Sequence, residues 1–381
     1  MADIERETME YDVVIVGAGP AGSTLAKALE GSGKRALLID KQAFPRDKTC
    51  AGWVTPAVME SLEIDPTDYA NGRTLQPIRR FRIGMMGQPA VENDHHSIVS
   101  YGIRRCEFDA FLLDRVNAPK QLATPVKSIV RNNGNWVINE QWQAPLLIGA
   151  GGHFCPVAKL LGNGPGKHET VVAAKEVEFE MTPEQADACE ARGDTPELWF
   201  CRDLKGYAWV FRKGNFLNIG LGREDNHRLT DHLEAFVDDM KQEGRIPADM
   251  PGRFKGHAYL LYAHADRPLV DDGVLLIGDA AGLAYTQSGE GIRPAIESAL
   301  MAADVILHAP DFSGAALQRY GERIAERFGN RASEQDPGWE LPEWLKQPLA
   351  STLMRSHWFT RKVVTEKWFL HQDVPTLKAV G

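Results

Sequence analysis

The feature that most constrains this chain is a glycine pattern placed directly after a short apolar strand. Residues 11–16 are rich in valine, which is typical of a parallel strand buried on both faces. Gly17, Gly19 and Gly22 follow as G-x-G-x-x-G, and residues 23–30 have a helical pattern. Such glycines allow a tight turn, the approach of a pyrophosphate to the backbone, and close packing of the helix on the strand. The N-terminal end of the helix then faces the phosphates.

A second predicted strand, residues 35–39, ends in Asp40, which lies 18 residues after Gly22. A carboxylate at this place accepts a hydrogen bond from a ribose hydroxyl. Strand, glycines, helix, strand and acid in this order predict a dinucleotide-binding unit, without separating FAD from NAD. The residues predicted to contact the dinucleotide here are Gly17, Gly19, Ala21, Gly22, Asp40 and Lys41.

A second glycine-and-acid turn occurs in the later half of the chain. Residues 274–277 read as a buried strand that ends in Gly278-Asp279, and Gly289, Gly291 and Ile292 open a long helix. Open α/β sheets place ligands at the carboxyl ends of their strands, so Asp279 is positioned to bind a sugar-like polyol chain. The amides at the start of the helix can face a partial negative charge.

This second turn resembles the second FAD motif of the p-hydroxybenzoate hydroxylase superfamily, and within it the geranylgeranyl reductase family. The resemblance implies an FAD domain of the glutathione-reductase type, with Asp279 on the ribityl chain and Gly291-Ile292 near the isoalloxazine. The segment from Phe44 to Gly52 resembles the family's passage beside the flavin, and it contains Arg46 and Cys50. Arg105 resembles the arginine of the family's R-x-x-F-D motif, which contacts FAD.

The middle of the chain also resembles the reductases. Gly206-Tyr207-Ala208-Trp209-Val210-Phe211 followed by Asn218-Ile219-Gly220-Leu221-Gly222 is similar to Y-x-W-x-F-P and N-V-G-x-G. On its own, this pattern predicts an antiparallel hairpin with Tyr207, Trp209 and Phe211 on one face. Those rings would form the apolar wall of a substrate pocket, with ordinary core packing as the alternative for each ring.

Two positions depart from the family pattern. Gly151 stands where the superfamily has the aspartate of G-A-D-G, which helps to order FAD and the nicotinamide pyrophosphate. The departure at Gly151 weakens the expectation that NAD(P)H reduces the flavin directly. A separate electron-donor protein is the alternative. Arg212 replaces the proline of the aromatic hairpin, so the pocket could hold an anionic group.

These patterns predict an α/β protein with three parts. A discontinuous Rossmann-like FAD-binding domain covers residues 1–75, 101–160 and 258–310, and an inserted, mostly antiparallel β-sheet substrate domain covers 76–100 and 161–257. Residues 311–381 form a helical C-terminal region with a proline-rich interruption at 336–348. Residues 355–369 mix basic and aromatic side chains, which fits either an interfacial helix or packing on the protein itself.

Composition excludes several classes of protein. A net charge of −9 argues against nucleic-acid binding, because phosphate recognition needs a basic surface. The five cysteines form no C-x-x-C pair, and Asp94-His95-His96 lacks a third ligand at a suitable spacing, so we predict no metal site and a solvated loop there. No apolar run approaches the ~20 residues that span a bilayer. We expect a cytoplasmic protein whose membrane contact is at most peripheral.

Cys50, Tyr207 and Trp53 are the candidate catalytic residues. A thiol near the flavin could pack, donate a proton weakly or tune the ring, although a lone cysteine is more often a small buried hydrophobe. Tyr207 is a second candidate proton donor, and Tyr285 is a candidate for the pocket beside Trp209 and Phe211.

The resemblance implies a reductase that passes a hydride from reduced FAD to a carbon–carbon double bond of a small, largely apolar substrate. The alternative on the same scaffold is a monooxygenase, either a hydroxylase or a halogenase, that uses a flavin C4a-hydroperoxide. A third possibility is an electron-transfer flavoprotein. These remain open because a fold does not fix a function.

Overall fold

The computed structural model describes residues 8–162, 171–225, 228–331 and 343–378. Its central element is a six-stranded sheet in which neighbouring strands are parallel except for one antiparallel edge pair. In spatial order the strands are Val270–Asp271, Val274–Leu276, Leu146–Gly149, Val13–Val16, Ala36–Ile39 and Lys120–Gln121. All residues of the four inner strands are buried, as their continuous apolar sequences predict. A parallel sheet of this kind brings its strand ends together on one edge, where the two glycine turns lie.

Helices cover this parallel sheet. The helix after the first glycine turn spans Pro20–Ala28, and it begins earlier than the sequence suggested because Pro20 has the backbone angle of a first helical residue. The helix after the second turn spans Ile292–His308 and is almost wholly buried. A smaller sheet, ordered Met9–Glu10, Trp142–Ala144, Asn135–Ile138 and Ile129–Asn132, lies beside the parallel sheet.

The inserted unit is a seven-stranded sheet that is antiparallel except for one pair. Its order is Lys255–Leu260, Val171–Glu180, Phe216–Arg223, Gly206–Lys213, Glu197–Phe200, Arg80–Met85 and Val91–Asp94. The first of these strands continues to Leu260, so it crosses the boundary expected at residue 258. A fourth, three-stranded sheet has the order Trp53–Val54, Ser100–Ile103 and Leu75–Ile78.

The two faces of the large sheet bury different side chains. Ala208 and Val210 pack with the helix Leu229–Gln242, while Trp209 and Phe211 belong to a separate aromatic cluster on the other face. The predicted alternation along this strand is therefore present. His95, which we expected in a solvated loop, is 8% exposed and contacts the Phe81 ring edge-on.

The remaining helices complete the chain. They span Pro56–Ser61, Pro66–Ala70, Arg105–Asp114, Pro156–Leu160, Pro183–Ala188, Gly314–Phe328 and Glu343–Met354, with short 3-10 turns at Tyr262–His264 and Gly278–Ala281. Residues 336–342 lie outside the described residues, and Pro348 lies inside a helix instead of interrupting it.

The last helix, Phe359–Phe369, has π-type hydrogen bonds and packs on the aromatic cluster through Val364 and Phe369. Trp358, just before it, is 67% exposed. Within the four described ranges, no helix combines the length and the apolar character needed to cross a membrane.

Candidate functional site

A cavity of about 320 Å³ lies between the carboxyl edge of the parallel sheet and the aromatic face of the large sheet. Both glycine-and-acid turns contribute to its lining, as does the segment around Cys50. The predicted residues that line it are Gly19, Ala21, Asp40, Lys41, Arg46, Cys50, Trp53, Arg105, Tyr207, Trp209, Asp279, Gly289, Gly291 and Ile292. Two motifs more than 200 residues apart in sequence thus meet around one space.

Three other predicted glycines shape the turns from behind. Gly17 has φ +115°, and a Cβ there would overlap the backbone carbonyl of Ala150. A Cβ at Gly22 would overlap the carbonyl of Gly17, so the close contact of helix and turn requires glycine. Gly278 also has a positive φ, +61°. These residues set the backbone path and do not themselves line the cavity.

Phe211 and Tyr285 are placed differently from our expectation. Neither is among the described residues that line the cavity. Phe211 is 2% exposed and packs behind Trp53, with 6.1 Å between ring centroids. Tyr285 stacks on His371 at 3.7 Å. The pocket wall therefore consists of Trp53, with Tyr207 and Trp209 from the hairpin, because Phe211 lies one layer deeper.

Asp40 ties the first glycine turn to the second strand. One carboxylate oxygen accepts a hydrogen bond from the Ala18 N–H at 2.8 Å, and the other accepts from the Gln42 N–H at 2.9 Å. Each carboxylate oxygen has a further lone pair, so Asp40 can still accept a hydrogen bond from a ribose hydroxyl bound in the cavity.

Arg46 gives a direct test of whether an anionic cofactor fits. Asp109, fully buried, accepts a bidentate pair from Arg105 at 2.9 Å each and contacts Arg46 Nη2 at 3.2 Å. Arg46 Nη1 is buried and has no hydrogen-bond partner among the described residues. The same guanidinium lies 3.2 Å from where a Cβ on Gly19 would be, so the absence of that side chain keeps the space beside it open. A buried donor without an acceptor beside a glycine turn fits the pyrophosphate of FAD.

Arg105, which the resemblance places at the FAD, lines the cavity and is held there by a buried ion pair with Asp109. Burial acts to lower the pKa of its guanidinium, but Asp109 and the nearby Cys50 thiol outweigh burial and raise the pKa above its usual range. Arg105 Nε and Nη2 donate to the two carboxylate oxygens of Asp109, so these donors are not available to a ligand. Arg105 therefore contributes mainly a fixed positive charge to the cavity.

A row of charged and polar groups follows the second turn. Lys48 Nζ lies 2.5 Å from His257 Nε2, which in turn lies 3.8 Å from Asp279 Oδ2. Burial lowers the pKa of Lys48 to about 8, although Asp279 acts against this. Burial would raise the pKa of Asp279, but the His257 hydrogen bond and the Lys48 charge lower it to about 2. Asp279 is therefore an anion at neutral pH and can accept hydrogen bonds from the hydroxyl groups of a ribityl chain.

The three candidate catalytic residues all face the cavity. Cys50 is half-buried, and its sulfur accepts a hydrogen bond from the Gly52 N–H at 3.4 Å. The Tyr207 hydroxyl donates to the carbonyl of Ser288. Burial raises the pKa of Tyr207 well above its usual value. Tyr207 thus holds its proton tightly in a structural bond, which leaves Cys50 as the better placed of the two candidate proton donors.

Two carboxyl groups near the cavity, the buried Glu176 and the half-buried Glu290, were absent from the sequence-based prediction. Burial raises the pKa of Glu290, which lines the cavity, to about 7. Burial likewise raises the pKa of Glu176 to about 7, even though it accepts hydrogen bonds from the Cys50 N–H and the Asn218 side chain. Carboxyl groups with such pKa values are able to exchange protons at neutral pH.

The sequence contained partial signals for the missed residues. His257 and Tyr259 both line the cavity and are two apart on one strand, so they share a face. Glu176 follows Val172 and Ala174 at the two-residue spacing of one strand face, and a carboxyl group on a buried face usually has a partner. What the pattern could not show is which distant residues these groups meet.

Gly151, which departs from the family pattern, has little room for a side chain. A Cβ at Gly151 would lie 3.2 Å from Cys155 Sγ and 3.3 Å from its Cα, which is tighter than ordinary contact. Cys155 is fully buried, and burial raises the pKa of its thiol. Within the described ranges, no three His, Cys, Asp or Glu side chains are arranged to hold a metal ion.

Comparison with known proteins agrees with this geometry. The FAD binding domain family model matches residues 10–64. The chain is 29% identical over 354 residues to the digeranylgeranylglycerophospholipid reductase of Methanocella arvoryzae, covering 84% of each chain. It is 27% identical over 339 residues to the protein of that name from Methanocaldococcus jannaschii, covering 83% of each.

Solved structures share the fold. A geranylgeranyl bacteriochlorophyll reductase-like protein of Thermoplasma acidophilum superposes with a TM-score of 0.71 at 21% identity, covering 98% of this chain and 94% of that one. The halogenase PltM in complex with FAD gives 0.68 at 15% identity, covering 90% of this chain and 76% of that one. The chain is therefore an FAD-dependent oxidoreductase that is similar in sequence to the digeranylgeranylglycerophospholipid reductases and shares the fold of a geranylgeranyl reductase-like protein.

Proposed function

We propose that this oxidoreductase reduces a carbon–carbon double bond of an unsaturated, largely apolar substrate. The observation that carries the proposal is the shared cavity, in which the FAD-motif residues lie on one side and Trp53, Tyr207 and Trp209 on the other. A substrate held against those rings would lie next to the flavin-binding edge. The relatives named digeranylgeranylglycerophospholipid reductases point to an isoprenoid lipid as the substrate class.

The chain's own residues would divide the work as follows. Arg46 and the amides of the first glycine turn would hold the pyrophosphate, Asp40 a ribose hydroxyl, and Asp279 the ribityl hydroxyls. When bound, FAD supplies the hydride equivalent. The aromatic wall binds the apolar substrate and excludes water. The Cys50 thiol, which lines the same cavity, would deliver a proton to the second carbon.

The direct test is a product analysis without oxygen. The flavin-loaded protein is reduced chemically under anaerobic conditions and mixed with an unsaturated geranylgeranyl glycerolipid, and the product is examined by mass spectrometry. We expect the addition of two hydrogen atoms per reduced double bond. An oxygenated product that forms only in air would instead support the monooxygenase. Electron transfer to a quinone or a protein, without any organic product, would support the electron-transfer flavoprotein.

We further propose that a separate electron-donor protein reduces the bound flavin. The support is Gly151, which lacks the carboxylate found at this place in the superfamily and which has little room for a side chain beside Cys155. Anaerobic mixing with NADH and with NADPH should then leave the flavin absorbance largely unchanged on the time scale of turnover, whereas a reduced ferredoxin-like donor should bleach it. Prompt bleaching by either nicotinamide would contradict this proposal.

A further inference from the structure

The backbone of Cys50 is held from both sides by two buried polar side chains of the large sheet. The Cys50 N–H donates to Glu176 Oε1 at 2.7 Å, and Asn218 Nδ2 donates to the Cys50 carbonyl at 3.1 Å. Asn218 Nδ2 also donates to Glu176 Oε2 at 3.0 Å. Glu176 is 4% exposed and Asn218 is 1% exposed. We call this arrangement of Glu176, Asn218 and the Cys50 backbone the Cys50 clamp.

The same asparagine orients an aromatic ring of the cavity. The Trp209 indole N–H donates to Asn218 Oδ1 at 2.7 Å. Because Nδ2 faces carbonyl and carboxylate acceptors while Oδ1 faces an indole donor, only one orientation of the amide satisfies all partners. A single hydrogen-bonded chain thus runs from Cys50 through Glu176 and Asn218 to Trp209.

The clamp also joins two parts of the fold. Cys50 lies in the segment beside the FAD-binding edge, whereas Glu176, Asn218 and Trp209 lie on three neighbouring strands of the large sheet. The cation beside them, Lys213, pairs with Glu178 at 2.6 Å. Glu176 instead accepts hydrogen bonds from the Cys50 N–H and from Asn218. Buried polar groups that are fully satisfied in this way fix one arrangement of the surrounding residues.

We propose that Glu176 and Asn218 are positioning residues that set the Cys50 thiol and the Trp209 ring in one fixed relation across the cavity. That the Cys50 thiol and the Trp209 ring face the substrate rests on the proposed function. The hydrogen bonds of the Cys50 clamp do not depend on that function. Neither Glu176 nor Asn218 has to touch the substrate, since each acts through Cys50 or Trp209.

Thiol alkylation tests the clamp without any turnover. In Glu176→Gln, the new amide N–H₂ faces either the Cys50 N–H or the Asn218 N–H₂, so a donor meets a donor. Asn218→Asp keeps the side-chain shape and the acceptor for Trp209, but it removes the N–H donors to Glu176 and to the Cys50 carbonyl. In the oxidised, flavin-loaded protein, we expect iodoacetamide to modify Cys50 about three- to tenfold faster in both variants, the factor expected for one net hydrogen bond lost. Cys106, also half-buried, reports any general loosening and should keep its rate. Glu180→Gln, an exposed position on the same strand, is the matched control.

Unchanged Cys50 alkylation in both folded variants would overturn the proposal. Should either variant fail to fold, hydrogen exchange on the unaltered protein decides: a peptide covering residues 48–52 must contain a slowly exchanging amide, and complete rapid exchange would be contrary to the clamp. In turnover assays, Glu176→Gln should lower kcat more than it changes KM. If no reduction is detected in the unaltered protein, the proposed function fails while the alkylation result still decides the clamp.

Discussion

At the scale of single residues, Arg46 offers the sharpest prediction about the cofactor. Arg46→Ala removes a buried donor without an acceptor, while Asp109 keeps its bidentate partner Arg105, so no buried carboxylate is left alone. Losing a charge-assisted hydrogen bond to a phosphate should raise the Kd for FAD by about 10- to 100-fold. Calorimetric titration of the flavin-free protein with FAD measures this change.

Arg73→Ala is the matched control for that titration. Its guanidinium lies 4.5 Å from the Phe111 ring centroid, much as Arg46 lies 4.7 Å from that of Phe44, but it does not line the cavity. Equal losses of FAD affinity in the two variants would mean that Arg46 acts only through general stability.

Residue identities at the cavity could be predicted only where a motif carries them. Asp40 follows the strand Ala36–Ile39 and Asp279 follows the strand Val274–Leu276, so their place at the sheet edge follows from local sequence. Lys48 and His257 are 209 residues apart, and Cys50 and Glu176 are 126 apart. Such pairs depend on how the large sheet packs over the nucleotide edge, which no local pattern specifies.

At the scale of elements, sequence patterns predicted the hairpin, the long helix after Gly291 and a helical C-terminal region, but not where the helices of that region begin and end. Proline at 348 suggested an interruption, yet it lies in the helix Glu343–Met354, where packing outweighs intrinsic preference. The helix Phe359–Phe369 has an unremarkable sequence, and its position follows from the buried Val364 and Phe369 against the aromatic cluster.

Phe369 provides the prediction for this last helix. It is 1% exposed, stacks on Trp53 at 5.6 Å and meets Tyr207 edge-on at 5.4 Å. Phe369→Ala should lower the free energy of unfolding by about 3 kcal/mol or more, because the well-packed site cannot fully collapse. Phe359→Ala, which removes a half-buried ring from the same helix, should cost clearly less in urea unfolding. Similar costs would show that the helix does not depend on its contact with the cavity wall.

At the scale of the whole molecule, two glycine turns and one aromatic hairpin predict an order of domains along the chain. The shape of the cavity could not be predicted in this way, because its lining comes from segments spread over residues 19–295, and their relative placement is not specified by any local pattern. The same enclosure desolvates carboxyl groups, so the pH dependence of global stability reports on it.

Glu290 makes that pH dependence measurable. Burial raises its pKa from 4.5 to about 7, so between these values the folded protein binds a proton that the unfolded chain has released. Its contribution to stability therefore falls as pH rises from 4.5 to 7. Glu290→Gln cannot titrate but keeps an oxygen to accept the Arg293 N–H. The unfolding free energy of this variant, relative to the unaltered protein, should rise by roughly 1 to 3 kcal/mol across that range.

The comparison with a single variant is needed because other groups oppose this trend. Burial lowers the pKa of His371 to about 4, so its contribution to stability increases as pH rises towards 6.5. Taking the difference between Glu290→Gln and the unaltered protein, both free of flavin, cancels His371 and isolates Glu290. Urea unfolding at pH 5, 6, 7 and 8 supplies the four values. A difference that stays constant over these pH values would mean that Glu290 remains solvated, and that the two halves of the fold do not enclose the cavity as tightly as their geometry indicates.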